Sequence, residues 1–448
     1  MFLRFDTSSG ECSVLEENQN PFVKIDYLSD KGQLVVTPET FGTGVPVYVV
    51  VKDNHLYLCD SLATLKVRLK MGFELNREVL PHFIRFGFVP GEMTLVREVR
   101  KLPPTKRLVA TRGGGVEFLD KPGFATDETE SDTGEQDLEL CYEEAMESAV
   151  RAALSRQSES NVCGLALSGG FDSNMLLHLV KKVAHHIDVL ALSVGGITGV
   201  DETRVARKIA KSYDNVSFSK AYVTPKTLKH FDDIVFRLEG SVFERGVFLQ
   251  YELAKLANRK GCKTLMLGEC ADQVFNEKSW SPVPDEVAFA VPDDIFLYLV
   301  HPYQMASYIV LVKNMLMFKS FGIDCLYPYI DKNVLRMAAR TKKENGTSKE
   351  FHKKNCYRLI PEEIGKVLKK KGGSTNLSPL FGKRFDVDSS LRKCKYYHPG
   401  FELTNLFAEA EAKRNYYLTL KYLESFERQF CNNSRLSMWK MRLKTWML

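Results

Sequence analysis

The sequence has no closely spaced pair of cysteines, although ten cysteines are present among its 448 residues. Zinc and iron–sulfur modules are commonly built on C-x-x-C pairs, so this spacing disfavours both kinds of site. Several of the cysteines, such as Cys163, lie within apolar runs, where a reduced thiol behaves as a small apolar side chain. Unpaired, reduced cysteines are typical of a cytoplasmic protein, and we expect that localisation.

Strong net charge and long apolar runs are also lacking. The formal net charge at pH 7 is +6, which is small for this length, so the composition gives no reason to expect a nucleic-acid partner. No apolar run approaches the roughly 20 residues that a membrane-spanning helix requires, and the sequence does not open on a basic-then-apolar leader. We therefore expect no association with a membrane. The length is enough for two or three domains of roughly 150 residues each.

The most informative stretch is an apolar run that stops at a glycine turn. Residues 162–167, VCGLAL, are bounded by polar residues and are predicted to form a buried parallel strand. The Ser-Gly-Gly sequence at 168–170 breaks this pattern, and helical spacing resumes over 174–182. The pattern thus predicts a strand, a tight turn and the start of a helix.

The residues of this turn are suited to binding a phosphate. The first N–H groups of a helix have no partner within the helix and can hold an anion. Gly169 and Gly170 have no side chain, so a phosphate can lie against their backbone. Ser168 and Ser173 add hydroxyl donors, and Asp172 can hold a metal ion that bridges phosphates. The alternative is an ordinary Ser-Gly-Gly turn that binds no ligand.

The SGGFDS sequence at 168–173 resembles the SGGxDS pyrophosphate loop of the ATP pyrophosphatases. That group cleaves ATP between the α and β phosphates and forms an adenylated intermediate. Its members include asparagine synthetase, argininosuccinate synthetase, GMP synthetase and several tRNA-modifying enzymes. The loop is not a Walker loop, because no Gly-Lys-Ser/Thr sequence follows it.

Strand and helix patterns alternate from residue 138 onward. Strands are predicted at 162–167, 187–193, 216–222 and 263–267, and helices at 138–156, 174–182, 201–212, 226–238 and 246–259. This alternation predicts an α/β fold with a doubly wound parallel sheet. Ligands of such sheets bind beyond the carboxyl ends of the strands.

Two further segments resemble asparagine synthetase motifs. GECADQVF, at 268–275, resembles "GeGaDElFgG", and the resemblance makes Asp272 a second magnesium ligand and Glu269 a catalytic residue. The alternative for Asp272 is a simple helix cap. Val194-Gly195 and the following Asp201-Glu202 resemble an "SVGf…DE" segment whose backbone receives the adenine.

The segment 348–373 resembles the family pattern "K..LR.a....lP.ei..R.K.g" and follows YPYID, at 327–331, which resembles "PFLD". Lys349 would contact the leaving pyrophosphate. Counting from the proline places the catalytic lysine at Lys369, whereas the lysine-x-lysine-glycine pattern favours Lys371, and both stay candidates beside a plain solvated basic run. The family's helper glutamate has no match near 297–298, so the general base is open.

The resemblance implies ATP and Mg²⁺ as cofactors. Asp172 and Asp272 would bind the metal. The nucleotide would contact Leu167, Ser168, Gly169, Gly170, Asp172, Ser173, Val194, Gly195, Gly268 and Lys349.

Residues 1–122 are rich in strand-forming residues, and a hairpin is predicted for 45–51 and 55–60. The segment 86–115 resembles the end of the glutaminase domain of asparagine synthetases. Phe2 stands where that domain needs its nucleophilic cysteine, and the region is shorter than a complete glutaminase. We therefore predict a reduced, inactive glutaminase-like domain, an acidic linker at 123–137, and a synthetase domain at 138–448 with a helical C-terminal part. The last helices pack against the rest or clasp a substrate or partner.

Taken together, these motifs resemble the glutamine-independent branch of the asparagine synthetase superfamily, which includes β-lactam synthetase, carbapenam synthetase and lasso peptide cyclases. The resemblance implies a substrate, small molecule or peptide, that carries a carboxylate and an amine, with a biosynthetic partner protein as a further candidate. The alternatives are an ammonia-dependent amidation, a tRNA-modifying enzyme, which the near-balanced charge disfavours, and a non-catalytic scaffold.

Overall fold

The structure is a computed structural model of the 448-residue chain. It describes residues 1–17, 20–39, 44–121, 138–157, 162–196, 201–275, 306–345, 348–369, 378–381, 385–399 and 409–447. Within these ranges, no helix has the length and apolar character needed to cross a membrane. The predicted linker at 123–137 lies outside the described residues.

The strands fall into an N-terminal group and a later group. The N-terminal group is β1 (Phe2–Asp6), β2 (Cys12–Glu16), β3 (Val23–Leu28), β4 (Gln33–Pro38), β5 (Tyr48–Lys52), β6 (His55–Cys59), β7 (Arg100–Lys101), β8 (Lys106–Thr111) and β9 (Val116–Asp120). The later group is β10 (Val162–Ala166), β11 (Asp188–Gly196), β12 (Val216–Val223), β13 (Thr264–Met266) and β14 (Asp324–Leu326).

The helices lie mainly after residue 137. They are α1 (Leu62–Leu69), α2 (Leu80–Phe86), α3 (Leu138–Ser155), α4 (Phe171–Val183), α5 (Glu202–Ala210), α6 (Phe231–Leu238), α7 (Val247–Arg259), α8 (Ala271–Val274), α9 (Val312–Lys319), α10 (Lys332–Asn345), α11 (Ser348–Leu359), α12 (Glu362–Lys369), α13 (Val387–Leu391), α14 (Glu409–Phe426) and α15 (Arg435–Met447).

The later strands form a parallel sheet in the order β12-β11-β10-β13-β14, which confirms the predicted α/β class. The strand order reverses at β10, because the chain first adds β11 and β12 on one side and then β13 and β14 on the other. A ligand crevice in a doubly wound sheet lies at this reversal, beyond the carboxyl ends of the strands. The Ser-Gly-Gly turn follows β10 and therefore occupies that crevice.

The four predicted strands are all present with slightly different ends, whereas β14 was not predicted. β14 has three residues and follows the turn at Gly322, so it is too short to show a period-two pattern. The helix predicted at 226–238 begins instead with a 3₁₀ segment, Pro225–His230. Thr224 caps this segment by accepting the N–H of Lys226, and α6 follows it.

The N-terminal region contains two antiparallel sheets, ordered β2-β1-β6-β5-β7 and β3-β4-β8-β9. The predicted hairpin is confirmed as β5 and β6, joined through Asp53 and Asn54, which both have positive φ as a tight two-residue hairpin turn requires. Apolar side chains of both sheets pack between them; examples are Leu56, Leu34 and Leu108.

The first N-terminal sheet is covered on both faces, which explains the unbroken apolar run of β5. Val47 and Val49 belong to the core between the two antiparallel sheets. Tyr48 and Val50 point the other way, into the large core that also contains Leu165 of β10. Alternate residues of one strand thus serve two cores, because successive side chains of a strand point to opposite faces.

The C-terminal helix α14 packs against both parts of the chain. The Tyr422 ring lies 5.3 Å from the Phe83 ring of α2 and 4.9 Å from the Phe243 ring. Beyond α14, the Asn433 amide pairs in both directions with the backbone of Phe73. α14 therefore packs against the rest of the chain, and contact of the last helices with a substrate or partner stays a prediction.

Candidate nucleotide-binding site

The turn after β10 is held by its own hydroxyl groups. The Ser168 N–H donates to Ser173 Oγ at 3.2 Å, and the two hydroxyl oxygens are 3.1 Å apart. The Gly170 N–H donates to Ser168 Oγ at 3.2 Å. Gly169 has a φ of +78°, a conformation that glycine adopts at no steric cost. The predicted turn is therefore present as a compact loop with a fixed backbone.

The helix that follows the turn has no side-chain cap. Gly170 is the N-cap residue of α4 and has no side chain that could accept from the first-turn N–H groups. N–H groups left in this state at a helix N-terminus bind anions, since the helix dipole also favours negative charge there. The local geometry thus fits the predicted phosphate site.

Two glycines permit the close packing around this turn. A Cβ on Gly169 would lie 3.1 Å from Val205 of α5. A Cβ on Gly268 would lie 3.0 Å from the backbone nitrogen of Ser173. The turn after β13 therefore rests directly on the first turn of α4, which brings the 268–275 segment beside Asp172.

The two predicted metal ligands contact the same turn of one helix, α11. Asp172 Oδ1 lies 2.9 Å from His352 Nε2, and Asp272 Oδ1 lies 2.6 Å from Lys349 Nζ. His352 follows Lys349 by three residues, so both side chains project from the same face of α11. The side chain of Asp172 is 32% exposed and that of Asp272 is 57% exposed. The fold therefore gathers both carboxylates at the edge of the crevice.

This donor set fits magnesium bound together with a nucleotide. No group of three or more His, Cys, Asp or Glu side chains that could hold a metal ion occurs in the described ranges. Magnesium does not require such a cage, because it commonly takes one or two carboxylates and completes its shell with phosphate oxygens and water. Asp172 and Asp272 each have a partly exposed carboxylate, which is the contribution that this arrangement needs from the protein.

His352 is a site residue that the sequence did not predict. It is buried, with 3% of its surface exposed, and Nδ1 lies 2.6 Å from the Tyr142 hydroxyl. Burial would lower the pKa of His352, but the neighbouring Cys356 sulfur and the hydrogen bond to Asp172 outweigh it and raise the pKa to about 10. In the family pattern "K..LR", His352 falls on the leucine, and this departure is the signal that could have drawn attention to it.

The predicted adenine segment lies beside the loop. β10 pairs with β11 only as far as Ala166 and Leu192, whereas β11 continues along β12 to Gly196. The N–H of Leu167 donates to the carbonyl of Leu192 at 2.8 Å, which joins the start of the loop to β11. Val194 and Gly195 thus extend past β10 into the crevice, and their contact with adenine stays a prediction.

The start of α5 closes this side of the crevice. A Cβ on Gly195 would lie 3.0 Å from Thr203 Cγ2, so α5 packs closely on the strand end. Asp201 caps α5 by accepting the N–H of Thr203 at 3.1 Å, and it also accepts from the Tyr222 hydroxyl at 3.2 Å. Gly195, which was predicted to contact adenine, therefore allows a close contact between β11 and α5.

The predicted catalytic residues are placed only in part. Glu269 is half-buried and follows β13. Burial lowers the pKa of the nearby Lys313, but the charges of Glu244 and, to a smaller extent, Glu269 outweigh burial and raise that pKa. Lys369 is the last residue of α12. Lys371 lies outside the described residues, as does the neighbourhood of 297–298 in which the general base was sought. The choice between the two lysines therefore stays open.

The chain is similar to known proteins over the part that carries this site. Residues 142–281 match the family model described as asparagine synthase. Asparagine synthetase 1 (glutamine-hydrolysing) of Bacillus subtilis strain 168 is 26% identical over 234 residues. That match covers 51% of this chain and 35% of the relative, so the chain spans about a third of the relative's length.

A solved structure with some similarity is the U34-tRNA thiolase NcsA from Methanococcus maripaludis, determined with its 4Fe-4S cluster. It is 17% identical and covers 52% of this chain and 82% of the thiolase chain, with a TM-score of 0.26. Overlap at this level does not establish a common fold.

Proposed function

We propose that this chain, which belongs to the asparagine synthetase superfamily, is an ATP-dependent carbon–nitrogen ligase that releases AMP and pyrophosphate. The observation that supports this most is the SGGFDS loop at the sheet reversal, with Asp172 and Asp272 both held by one turn of α11. A substrate carboxylate oxygen attacks the α-phosphorus, and the bond to the pyrophosphate oxygen breaks. An amine nitrogen then attacks the acyl carbon, loses its proton and displaces AMP.

The residues of the crevice have separate tasks in this reaction. The uncapped N-terminus of α4 and the Ser168 and Ser173 hydroxyls bind phosphate oxygens. Asp172 and Asp272 would hold magnesium, which would supply positive charge that neutralises the phosphate oxygens. Lys349, whose ammonium contacts Asp272, contacts the leaving pyrophosphate once the nucleotide is in place. Fixing the reactants in one crevice supplies part of the rate.

The late lysine stabilises the second step. A positive charge near the acyl oxygen lowers the barrier for attack of the amine, because negative charge develops on that oxygen. Lys369 ends α12 and Lys371 follows two residues later, so both remain candidates for this position. We assign the role to one of the two lysines, with Glu269, which follows β13, as a further catalytic residue.

We further propose that glutamine is not the nitrogen source. Residues 1–121 contain two cysteines, Cys12 and Cys59, and neither is a favourable nucleophile. Burial raises the pKa of both thiols, whereas a nucleophilic cysteine needs a lowered pKa. Phe2 is buried in the core shared with β10.

The finer proposal is that the carboxylate and the amine belong to one substrate, so that a β-lactam or a peptide macrolactam is formed during natural-product biosynthesis. The motif at 268–275 is followed by Asn276-Glu277-Lys278 instead of the family's Gly-Gly-Tyr, which favours a different acyl substrate. Tethering the amine to the acyl group also replaces a bimolecular step by an intramolecular one. Amidation by free ammonia is the alternative, and a scaffold without catalysis is a second.

The test is the identity of the nucleotide product. Purified protein is incubated with Mg²⁺, α-labelled ATP and either aspartate with ammonium or amino-acid-derived carboxylates that carry an amine. AMP is the expected product with any acyl donor that supports turnover, and ADP would contradict the proposal. Turnover with aspartate and ammonium would favour the ammonia-dependent alternative. Asp172→Asn should form less AMP than wild type, and Asp188→Asn is its matched control. Asp188 is an exposed carboxylate at the start of β11, at the end of that strand away from the crevice.

A further inference from the structure

We propose that His352 is a positioning residue that fixes the Asp172 carboxylate for magnesium nucleotide. This inference rests on the proposed use of Asp172 as a magnesium ligand. Asp172 Oδ1 is bound to His352 Nε2, whereas Oδ2 has no partner among the described residues. The carboxylate is thus held by one oxygen and free to offer the other to a metal ion.

The direction of the hydrogen bonds makes the contact independent of the charge on the ring. An ionised carboxylate only accepts, so the His352 Nε2–H donates to Asp172 whether the imidazole is neutral or protonated. On the other side of the ring, Nδ1 and the Tyr142 hydroxyl are 2.6 Å apart. A neutral ring accepts the Tyr142 proton there, and a charged ring donates to the Tyr142 oxygen. The orientation of Asp172 is the same in both cases.

The imidazole is also locked by aromatic packing. Its ring lies parallel to the Phe275 ring, with centroids 4.1 Å apart and an angle of 5°. The Tyr329 ring stands nearly perpendicular to it, at 5.6 Å and 89°. Rotation of the imidazole would break the stack and both hydrogen bonds, so His352 presents its N–H in one direction.

The same ring connects the separate segments of the site. Phe275 ends the segment that carries Asp272, and the Ser348 hydroxyl at the start of α11 donates to the Phe275 carbonyl. Tyr329 donates from its hydroxyl to the backbone carbonyl of Asp172 at 3.0 Å. His352 thus sets the carboxylate of Asp172 relative to the segment that supplies the second carboxylate.

Replacing a residue that orients a metal ligand changes the metal concentration at half-saturation by a known range. Removing such a hydrogen-bond partner typically lowers metal affinity about 10- to 100-fold. A histidine that merely neutralised Asp172 would behave in the opposite way, because its removal would leave the carboxylate more available and tighten magnesium. The two roles therefore predict shifts of opposite sign.

The test measures binding, without an acyl substrate. A fluorescent trinitrophenyl ATP analogue is held at a fixed concentration with the full chain, and Mg²⁺ is titrated. We expect His352→Leu to raise the magnesium midpoint about 10- to 100-fold. His352→Gln, which keeps an N–H donor of similar reach, should shift the midpoint less. His178→Leu is the matched control, since His178 is a half-buried histidine of α4 that also bonds a tyrosine hydroxyl, at 3.3 Å, and should leave the midpoint unchanged.

An unchanged or lowered midpoint in His352→Leu would overturn the proposal. If thermal unfolding shows that His352→Leu does not fold, Tyr142→Phe is tested instead, because it removes only the hydrogen bond to His352 Nδ1. Tyr142→Phe should raise the magnesium midpoint by a smaller factor, and the absence of a rise would overturn the proposal. Wild-type protein that binds the analogue in a magnesium-dependent way but forms no AMP would contradict the ligase function alone. Wild-type protein without magnesium-dependent binding would contradict both.

Discussion

Glu239 is a buried carboxyl group whose replacement should change how the stability of the protein depends on pH. It accepts hydrogen bonds from the N–H groups of Leu62 and Ala63 at the start of α1, at 2.7 and 3.2 Å, and from the Ser61 hydroxyl at 2.8 Å. Burial raises its pKa from 4.5 to about 7, although these hydrogen bonds act against the rise. Glu239 thus joins the part that contains the parallel sheet to a helix of the N-terminal region.

The sign of the effect follows from where the proton is held. Between about pH 4.5 and 7 the folded protein keeps the Glu239 proton that the unfolded chain has lost, so this group makes folding less favourable as the pH rises through that window. A difference of roughly 2.5 pKa units at about 1.4 kcal/mol each corresponds to about 3 kcal/mol between pH 4 and pH 8. Above pH 7 this contribution is constant.

The assay compares wild type with Glu239→Gln, which cannot ionise. Urea unfolding midpoints are measured from pH 5 to pH 8, and we expect the fall in stability with rising pH to be smaller in Glu239→Gln than in wild type. Glu117→Gln, at an exposed position of β9, is the control and should follow wild type. Equal pH dependence in wild type and Glu239→Gln would refute the reasoning, since Glu239 would then be ionised throughout.

Four further predictions concern the chemistry. Asp172→Asn and Asp272→Asn should each reduce AMP formation about 10²- to 10³-fold without changing the thermal unfolding midpoint, and full activity in either variant would contradict the shared metal role. Lys349→Ala should slow substrate-dependent exchange of labelled pyrophosphate into ATP. Replacement of the catalytic residue, Lys369 or Lys371, should reduce pyrophosphate exchange less than product formation. An equal reduction of exchange and product formation would exclude the replaced residue from the second step. Glutamine should yield no glutamate with the pure protein, and measurable glutamate release would contradict an inactive N-terminal domain.

The sequence predicted the parts of the site that depend on local patterns. The loop at 168–173 was recognisable because an apolar strand, two glycines and a helical period follow one another directly. The parallel sheet followed from the alternation of such elements, and the strand order places the loop where ligands bind.

The parts that were missed depend on contacts between distant residues. His352 lies 180 residues from Asp172 and 210 residues from Tyr142, so no spacing in the sequence indicates that they meet. The Glu239 contact with the start of α1 spans 177 residues to Leu62 and is equally hidden. A single buried polar side chain has no periodicity, and its partner is defined only when the sheet and its helices have assembled.

The stack formed by Phe83, Tyr422 and Phe243 has a consequence for how the chain can be divided. One ring comes from the N-terminal region, one from the C-terminal helix and one from the segment after β12. A fragment that began at Leu138 would retain the second and third rings but uncover the face on which Phe83 lies, together with other apolar surface of the common core. Such a fragment would aggregate on expression, so limited proteolysis should release no stable fragment that begins near residue 138.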